Sequence, residues 1–254
     1  MSTTQNQLAV LFEGNGEISK FEALAERLNV PLRQSSEQNP EAFFLTWRDG
    51  ELKLLDTELL RKGGLSVDIS PRNGEQRSYP APKEGAFAQA IGRKTKTVVD
   101  ATTGWAQDSL CLFRMGYEVR CIERSPMMAE LLTDAFERLT QELWVQKLEL
   151  TPPVLLHGNA IELLKNLASP PDCIYLDPMF PPKRKKSALS KKTMTILQNV
   201  VGEDLDKTEL FAAAFSATAK RVVVKSPDYA EPLGGKPTET FGSKLLRYDV
   251  YLKN

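Results

Sequence analysis

From Thr97 onward the chain alternates short apolar runs with longer stretches of helical spacing, and this alternation constrains the fold more than any other feature. Thr97-Val98-Val99-Asp100, Glu118 to Glu123, Val154-Leu155-Leu156-His157, Cys173-Ile174-Tyr175-Leu176 and Arg221-Val222-Val223-Val224-Lys225 read as strands. Short runs that are apolar at consecutive positions suit strands buried on both faces. Helices are predicted from about Gln107 to Met115, from Ser125, and from Ala160 to Leu167. Ser125 takes the N-cap and Pro126 the first helical position, where a missing N–H breaks no hydrogen bond. The apolar face of that helix is Met128, Leu131, Leu132, Ala135, Phe136, Leu139 and Leu143. Leu245 to Leu252 supplies one or two closing strands. Strand–helix units of this kind build a mostly parallel sheet covered by helices, an α/β fold.

The first 90 residues follow a different pattern. Phe21, Leu24, Ala25 and Leu28 have helical spacing. Phe43-Phe44-Leu45-Thr46-Trp47 and Glu51-Leu52-Lys53-Leu54-Leu55 flank Arg48-Asp49-Gly50 and predict a hairpin around an Asp-Gly turn. Val67-Asp68-Ile69 is expected to add a third strand, Pro71 to Pro82 a loop, and Lys83 to Ile91 a short helix. The expected organisation is a small α/β domain over residues 1–90 and a larger one over 91–254.

Composition narrows the chemistry. The 254 residues carry 33 Lys+Arg against 33 Asp+Glu, and 41% are hydrophobic, as in an ordinary globular protein. No apolar run approaches the ~20 residues of a membrane span. Met1 to Asn6 has no basic residue, and Leu8 to Phe12 is too short for a signal peptide, so a cytoplasmic location is expected. Three cysteines (Cys111, Cys121 and Cys173) without a CxxC pair argue against a disulfide framework or a zinc ribbon. His157 is the only histidine, which leaves little for a metal site or a histidine-based triad. The expected reaction uses neither.

In sheets of this kind ligands bind beyond the carboxyl ends of the strands. The first strand leads into Asp100-Ala101-Thr102-Thr103-Gly104-Trp105-Ala106-Gln107-Asp108, a tight turn opening a helix. It lacks the GxGxxG fingerprint of dinucleotide sites, which disfavours NAD. Acids here, Asp100 or Asp108, suit an ammonium, and the turn amides around Thr102 and Gly104 suit a carboxylate; S-adenosylmethionine (SAM) carries both. Glu123, followed by Arg124, ends the second strand, where a carboxylate can accept two hydrogen bonds from a ribose diol. Asn159 and the Ala160 amide follow the third strand and either face an adenine or, for Asn159, cap a helix.

After the fourth strand comes Asp177-Pro178-Met179-Phe180-Pro181-Pro182. This loop resembles the Asp/Asn-Pro-Pro-Tyr/Phe loop of methyltransferases that act on exocyclic amines of bases. Such an amine is a poor nucleophile, because its lone pair is delocalised into the ring. The Asp177 carboxylate and the Pro178 carbonyl can accept its N–H bonds and favour a pyramidal nitrogen; proline holds the carbonyl in place. Phe180 can stack on an extruded base, worth about 1–3 kcal/mol, against a few kcal/mol for unstacking. Phosphate contacts must then supply the affinity. Lys183, Arg184, Lys185, Lys186, Lys191 and Lys192 follow, and no acid interrupts Pro178 to Gly202. They are the candidate RNA contacts. Lys225-Ser226-Pro227-Asp228-Tyr229 either walls the pocket or is a turn.

These stretches, from about residue 97 to 233, resemble the ribosomal RNA small subunit methyltransferase J family, which methylates guanine N2 in bacterial 16S rRNA using SAM. The match is carried by Glu123-Arg124-Ser125-Pro126, Tyr175-Leu176-Asp177-Pro178-Met179-Phe180-Pro181, Lys185-Lys186-Ser187-Ala188-Leu189 and Arg221-Val222-Val223-Val224-Lys225. The resemblance implies a class I, Rossmann-like methyltransferase sheet and a partner in 16S rRNA or the small ribosomal subunit. It implies SAM contacts at Gln107, Asp108, Glu123, Arg124, Asn159, Ala160 and Asp177. The family's first loop usually reads Gly-Leu-Gly-Arg-Asp; here it is Gly104-Trp105-Ala106-Gln107-Asp108. Asn159-Ala160 replaces a pair of serines. Two alternatives stand beside this reading: an amino-methyltransferase for another RNA or DNA base, and a non-catalytic ribosome-assembly factor with this fold.

Overall fold

The computed structural model describes residues 7–14, 16–34, 41–56, 63–70, 79–180, 206–242 and 245–253. In chain order the described elements are β1 (Leu8–Phe12), α1 (Ile18–Leu28), β2 (Leu32–Gln34), β3 (Phe43–Arg48), β4 (Glu51–Asp56) and α2 (Gly85–Ile91). Then follow β5 (Thr97–Asp100), α3 (Gln107–Arg114), β6 (Glu118–Glu123), α4 (Pro126–Gln141), α5 (Leu143–Lys147), β7 (Val154–His157), α6 (Ala160–Lys165) and β8 (Cys173–Leu176). The last are α7 (Lys207–Ala217), β9 (Arg221–Pro227), β10 (Glu239–Gly242) and β11 (Leu246–Leu252).

The strands form two sheets, ordered β2-β1-β3-β4 and β10-β11-β9-β8-β5-β6-β7. In the larger sheet β7, β6, β5, β8 and β9 are parallel, and β11 runs antiparallel between β9 and β10. The chain leaves β5 through α3 to β6 on one side, and β8 lies on the other. The order therefore reverses at β5, the position where such sheets bind ligands. Two-sided apolar strands follow from this layering. Val98 faces a core shared with α3 and α4, and the adjacent Val99 faces the core beneath α6 and α7.

One continuous core joins the two sheets. Leu8, Val10, Leu45, Leu52 and Leu54 of the small sheet pack in the same cluster as Met128, Leu131, Leu132 and Ala135 of α4. Polar ties reinforce the contact: Arg27 pairs with Glu130 at 2.8 Å, Trp47 Nε1 donates to Asp134 at 3.2 Å, and Arg138 donates to the Val67 carbonyl at 3.0 Å.

Most predicted elements are present. The hairpin turns at Asp49 and Gly50, both at positive φ. Ser125 caps α4 by accepting from the Met128 amide, with Pro126 in its first turn. Two expectations need correction. Val67–Ile69 is not a strand; near it only Leu65 makes an isolated bridge to Leu54, and Val67 is held by its buried side chain. Leu143 does not extend the apolar face of α4, because the helix ends at Gln141 and Leu143 opens α5 with its side chain largely exposed. The expected closing strand over Leu245–Leu252 is present as β11; a further strand, β10, lies outside that stretch and was not expected, because Glu239, Thr240 and Gly242 give it no apolar alternation. Strands β1 and β2 and helix α7 were not predicted either. Helix α7 is apolar almost all round, so its period is faint.

Candidate active site

The predicted site residues converge at the carboxyl edge of β5, β6 and β8. Asp100 ends β5 and turns inward: it is 2% exposed, and its carboxylate accepts from the Thr102 amide at 3.1 Å and from the Ser109 hydroxyl. Burial pushes its carboxyl up to about 7, although both hydrogen bonds oppose that shift. The turn beyond it is tight. Gly104 has φ +51 and open space where a Cβ would project, so a ligand can approach its backbone. Ala106 is buried, caps α3 in the left-handed region (φ 54), and donates its amide to the Thr103 carbonyl at 2.9 Å.

Glu123, at the end of β6, is buried beside that turn. Its Oε2 accepts from the Gly104 amide at 3.0 Å and its Oε1 from the Ser125 amide at 2.7 Å. Burial raises its carboxyl pKa, while the two amides and the Arg124 charge pull it down. A carboxylate has about four acceptor positions, so these two bonds leave it able to accept more. Asn159 caps α6, its Oδ1 accepting from the Ile161 amide at 2.8 Å, while the Gly158 amide donates to the Glu123 carbonyl at 2.9 Å. Asn159 and Gln107 are exposed; Arg124 and Ala160 are half-buried.

The loop after β8 is tied to the turn after β5. The Asp177 amide donates to Thr102 Oγ1 at 2.6 Å. Pro178 is buried and Phe180 half-buried, with the Lys207 ammonium 4.9 Å from the Phe180 ring centre. Lys183, Arg184, Lys185, Lys186, Lys191 and Lys192 lie outside the described residues.

Sequence reasoning offered Lys225 only as part of a pocket wall or a turn and gave Tyr175 no role. Lys225 Nζ lies 2.7 Å from Asp108 Oδ2 and 2.8 Å from Asp177 Oδ2. The Tyr175 hydroxyl, fully buried on β8, also donates to Asp108 Oδ2 at 2.6 Å. Burial works against the lysine charge, and the two carboxylates outweigh it and hold the pKa above the ordinary lysine value. A signal was available. A lysine directly after three valines in a central strand is rarely left without a carboxylate partner. A small cavity lined by Thr97, Arg120 and Pro171 lies at the opposite, amino end of the strands, away from these acids.

Comparison with known proteins decides the family. Residues 23–253 match the family model described as "Putative SAM-dependent methyltransferase". The ribosomal RNA small subunit methyltransferase J of Shewanella amazonensis is 41% identical over 220 residues, covering 83% of this chain and 87% of that protein. The chain belongs to this family of SAM-dependent methyltransferases. A relative of the same name from Tolumonas auensis is 38% identical over 235 residues, covering 91% and 93%. A crystal structure of a SAM-dependent methyltransferase from Neisseria gonorrhoeae is 28% identical and superposes with a TM-score of 0.70, covering 96% of this chain and 95% of that one. The Rossmann-like class I fold and the SAM cofactor thus rest on sequence and structure together. Among the described residues no helix is long and apolar enough to cross a membrane, and no cluster of His, Cys, Asp and Glu could hold a metal ion.

Proposed function

We propose that this protein methylates the exocyclic N2 amine of a guanosine in small-subunit ribosomal RNA. The observation that carries the proposal is the coupling of two loops: Asp177, which opens the Asp-Pro-Met-Phe loop, is hydrogen-bonded to Thr102 and shares the Lys225 ammonium with Asp108. A base-amine loop fixed so closely to a cofactor turn places acceptor and donor chemistry in one site. The names of the relatives supply the ribosomal RNA target, and the resemblance of the loop supplies the amine.

The donor set fits SAM. Glu123 is a preoriented acceptor for a ribose diol, Asp108 an acceptor for an ammonium, and the open backbone at Gly104 leaves room beside both. We assign Asp100 to bracing the turn rather than to ligand contact, since it is buried beneath Thr102 and Ser109. Thr102, Gln107, Arg124, Asn159 and Ala160 complete the proposed cofactor surround. When bound, SAM supplies an electrophilic methyl group on a sulfonium.

The chain's own residues do the rest by position. The Asp177 carboxylate and the Pro178 carbonyl accept the N–H bonds of the target amine and turn its lone pair toward the cofactor. Asp177 then accepts the proton that the methylated amine gives up. Phe180 stacks one ring face on the base. Lys183 to Lys186, Lys191 and Lys192 hold phosphates, so binding weakens with salt.

The test incubates labelled SAM with naked 16S RNA, small subunits and whole ribosomes from cells lacking the modification, and maps the product by mass spectrometry. Methyl on guanine N2 of one nucleotide is expected. Transfer to another base would replace the target, and SAM binding without transfer to any of the three would end the ribosomal reading.

A further inference from the structure

Lys225 sits at the meeting point of the two loops. It projects from β9, which is hydrogen-bonded on one side to β8 and on the other to β11, where Tyr248 is its partner. The ammonium therefore comes from a fixed backbone, and its side chain is only 20% exposed. One cation serves two carboxylates: Asp108 in the first turn of α3, and Asp177 at the start of the substrate loop. Asp108 is held from the other side by Tyr175. Among the described residues, the other titratable groups that act on Lys225 or its partners include Asp100, Tyr175 and Tyr248.

We propose that Lys225 is a positioning residue for methyl transfer: it orients the Asp177 carboxylate as an ionised acceptor for the substrate amine and locks that acceptor to the cofactor-side Asp108. Two carboxylates that share a cation can both stay charged. Without the cation, their mutual repulsion raises the pH at which one of them takes up a proton, and a protonated Asp177 can neither orient the amine nor receive its proton. The inference rests on the reading of Asp177 given above.

The electrostatics separate this role from plain scaffolding. SAM carries a net positive charge, whereas the demethylated product is neutral overall. At pH values where both carboxylates stay ionised, replacing Lys225 by a neutral residue makes the site more negative, so SAM binding is kept or tightened while methyl transfer falls because Asp177 is no longer held in place. A scaffolding lysine would instead lose SAM affinity, melting temperature and turnover together.

The experiment compares Lys225→Met and Lys225→Arg with the wild type in three readouts: SAM and product dissociation constants by calorimetry, melting temperature, and single-turnover methylation across pH 4 to 9. For Lys225→Met the expected result is roughly a hundredfold slower methyl transfer, the scale of a misplaced reacting group. The acid limb of its pH profile moves up by about one unit, and the ratio of product to SAM dissociation constants rises. Lys225→Arg keeps the acid limb in place and loses only part of the rate. It also serves alone if Lys225→Met does not fold: a reduced rate with SAM affinity and melting temperature kept is then expected, and a parallel loss of all three would overturn the proposal. An unchanged rate and pH profile in Lys225→Met would overturn the proposal, as would a parallel loss of SAM affinity, stability and rate with the acid limb unmoved. A wild-type protein that places no methyl on guanine N2 would instead count against the target, whatever the variants do.

Discussion

The two ends of the large sheet are built from the same residue types and do opposite things. At the amino end, Asp172 accepts from the Lys96 amide at 2.8 Å and pairs with Lys220 at 2.7 Å, while its own amide donates to Thr97 Oγ1. Thr218 and Lys253 close the same edge onto backbone carbonyls. Asp172 and Lys220 thus have each other, and Lys253 has carbonyls. At the carboxyl end, among the described residues, Asp100, Asp108, Glu123 and Asp177 gather around Lys225 and Arg124, and acids outnumber cations. An edge with matched charge holds the sheet together; an edge with surplus negative charge suits a cationic ligand.

The largest effect should come from the unmatched edge. Asp177→Ala is expected to slow methyl transfer by roughly a thousandfold, the scale of losing one group that stabilises developing charge. SAM affinity should change far less. Single-turnover methylation beside calorimetry checks this, and the same variant separates catalysis from a ribosome-assembly role, which would survive the substitution.

At the matched edge the loss should be in stability. Asp172→Ala removes a carboxylate that satisfies a strand-end amide and pairs with Lys220, and about 1–3 kcal/mol is expected, read by denaturant unfolding. Methyl transfer at a permissive temperature should stay close to wild type. A comparable fall in turnover would mean that the two ends are not independent.

The ends should also differ in the sign of their pH dependence. The Lys220 hydrogen bond lowers the Asp172 pKa, so that edge stabilises the fold at neutral pH and loses its contribution as the pH falls. Asp100 is raised from 3.8 to about 7. The unfolded chain releases that proton near pH 4, while the native protein holds it until about pH 7. The Asp100 contribution therefore favours folding at low pH and declines as the pH rises from 4 to 7. Asp100→Asn should flatten that decline in unfolding curves taken across the range, and Asp172→Asn should flatten the acid-side loss. Identical profiles for both variants would erase the contrast.

The same division governs what could be read from the sequence. Strand β8 and the cap of α4 were legible, because a run of apolar residues or a Ser-Pro pair acts through local physics alone. The acids at strand ends were legible too, since strand direction fixes where they must lie. Lys225 was harder. Its partners are 117 and 48 residues away in the chain, and only the order of β5, β8 and β9 brings them together. Strand β1 was missed because both its partners, β2 and β3, come later in the chain and pair with it in parallel, so no hairpin announces it. Helix α7 was missed because its alanines and phenylalanines run almost all round it, although only Leu210, Ala213 and Ala214 are buried, and so leave little amphipathic period to read.

The smallest expected effect tests whether the carboxyl edge stores strain. Four described non-glycine residues have positive φ: Asn29, Asp49, Ala106 and Glu149. Ala106 is the one without a polar side chain, and it stands where the resembling family's loop has its second glycine. A left-handed alanine costs roughly 1–2 kcal/mol relative to the right-handed form. Two terms oppose its removal in Ala106→Gly. The unfolded chain gains freedom, worth about 0.4–1 kcal/mol, and a buried methyl is lost, worth about 0.8 kcal/mol. Ala106 is 0% exposed, so the second term applies in full. These terms nearly cancel, so Ala106→Gly should stay within about 0.5 kcal/mol of wild type. Unfolding curves at fixed pH measure it, with SAM affinity as the control for the shape of the turn. A clear destabilisation would show that the methyl packs well enough to outweigh the backbone, and that the turn is held by its core contacts rather than strained against them.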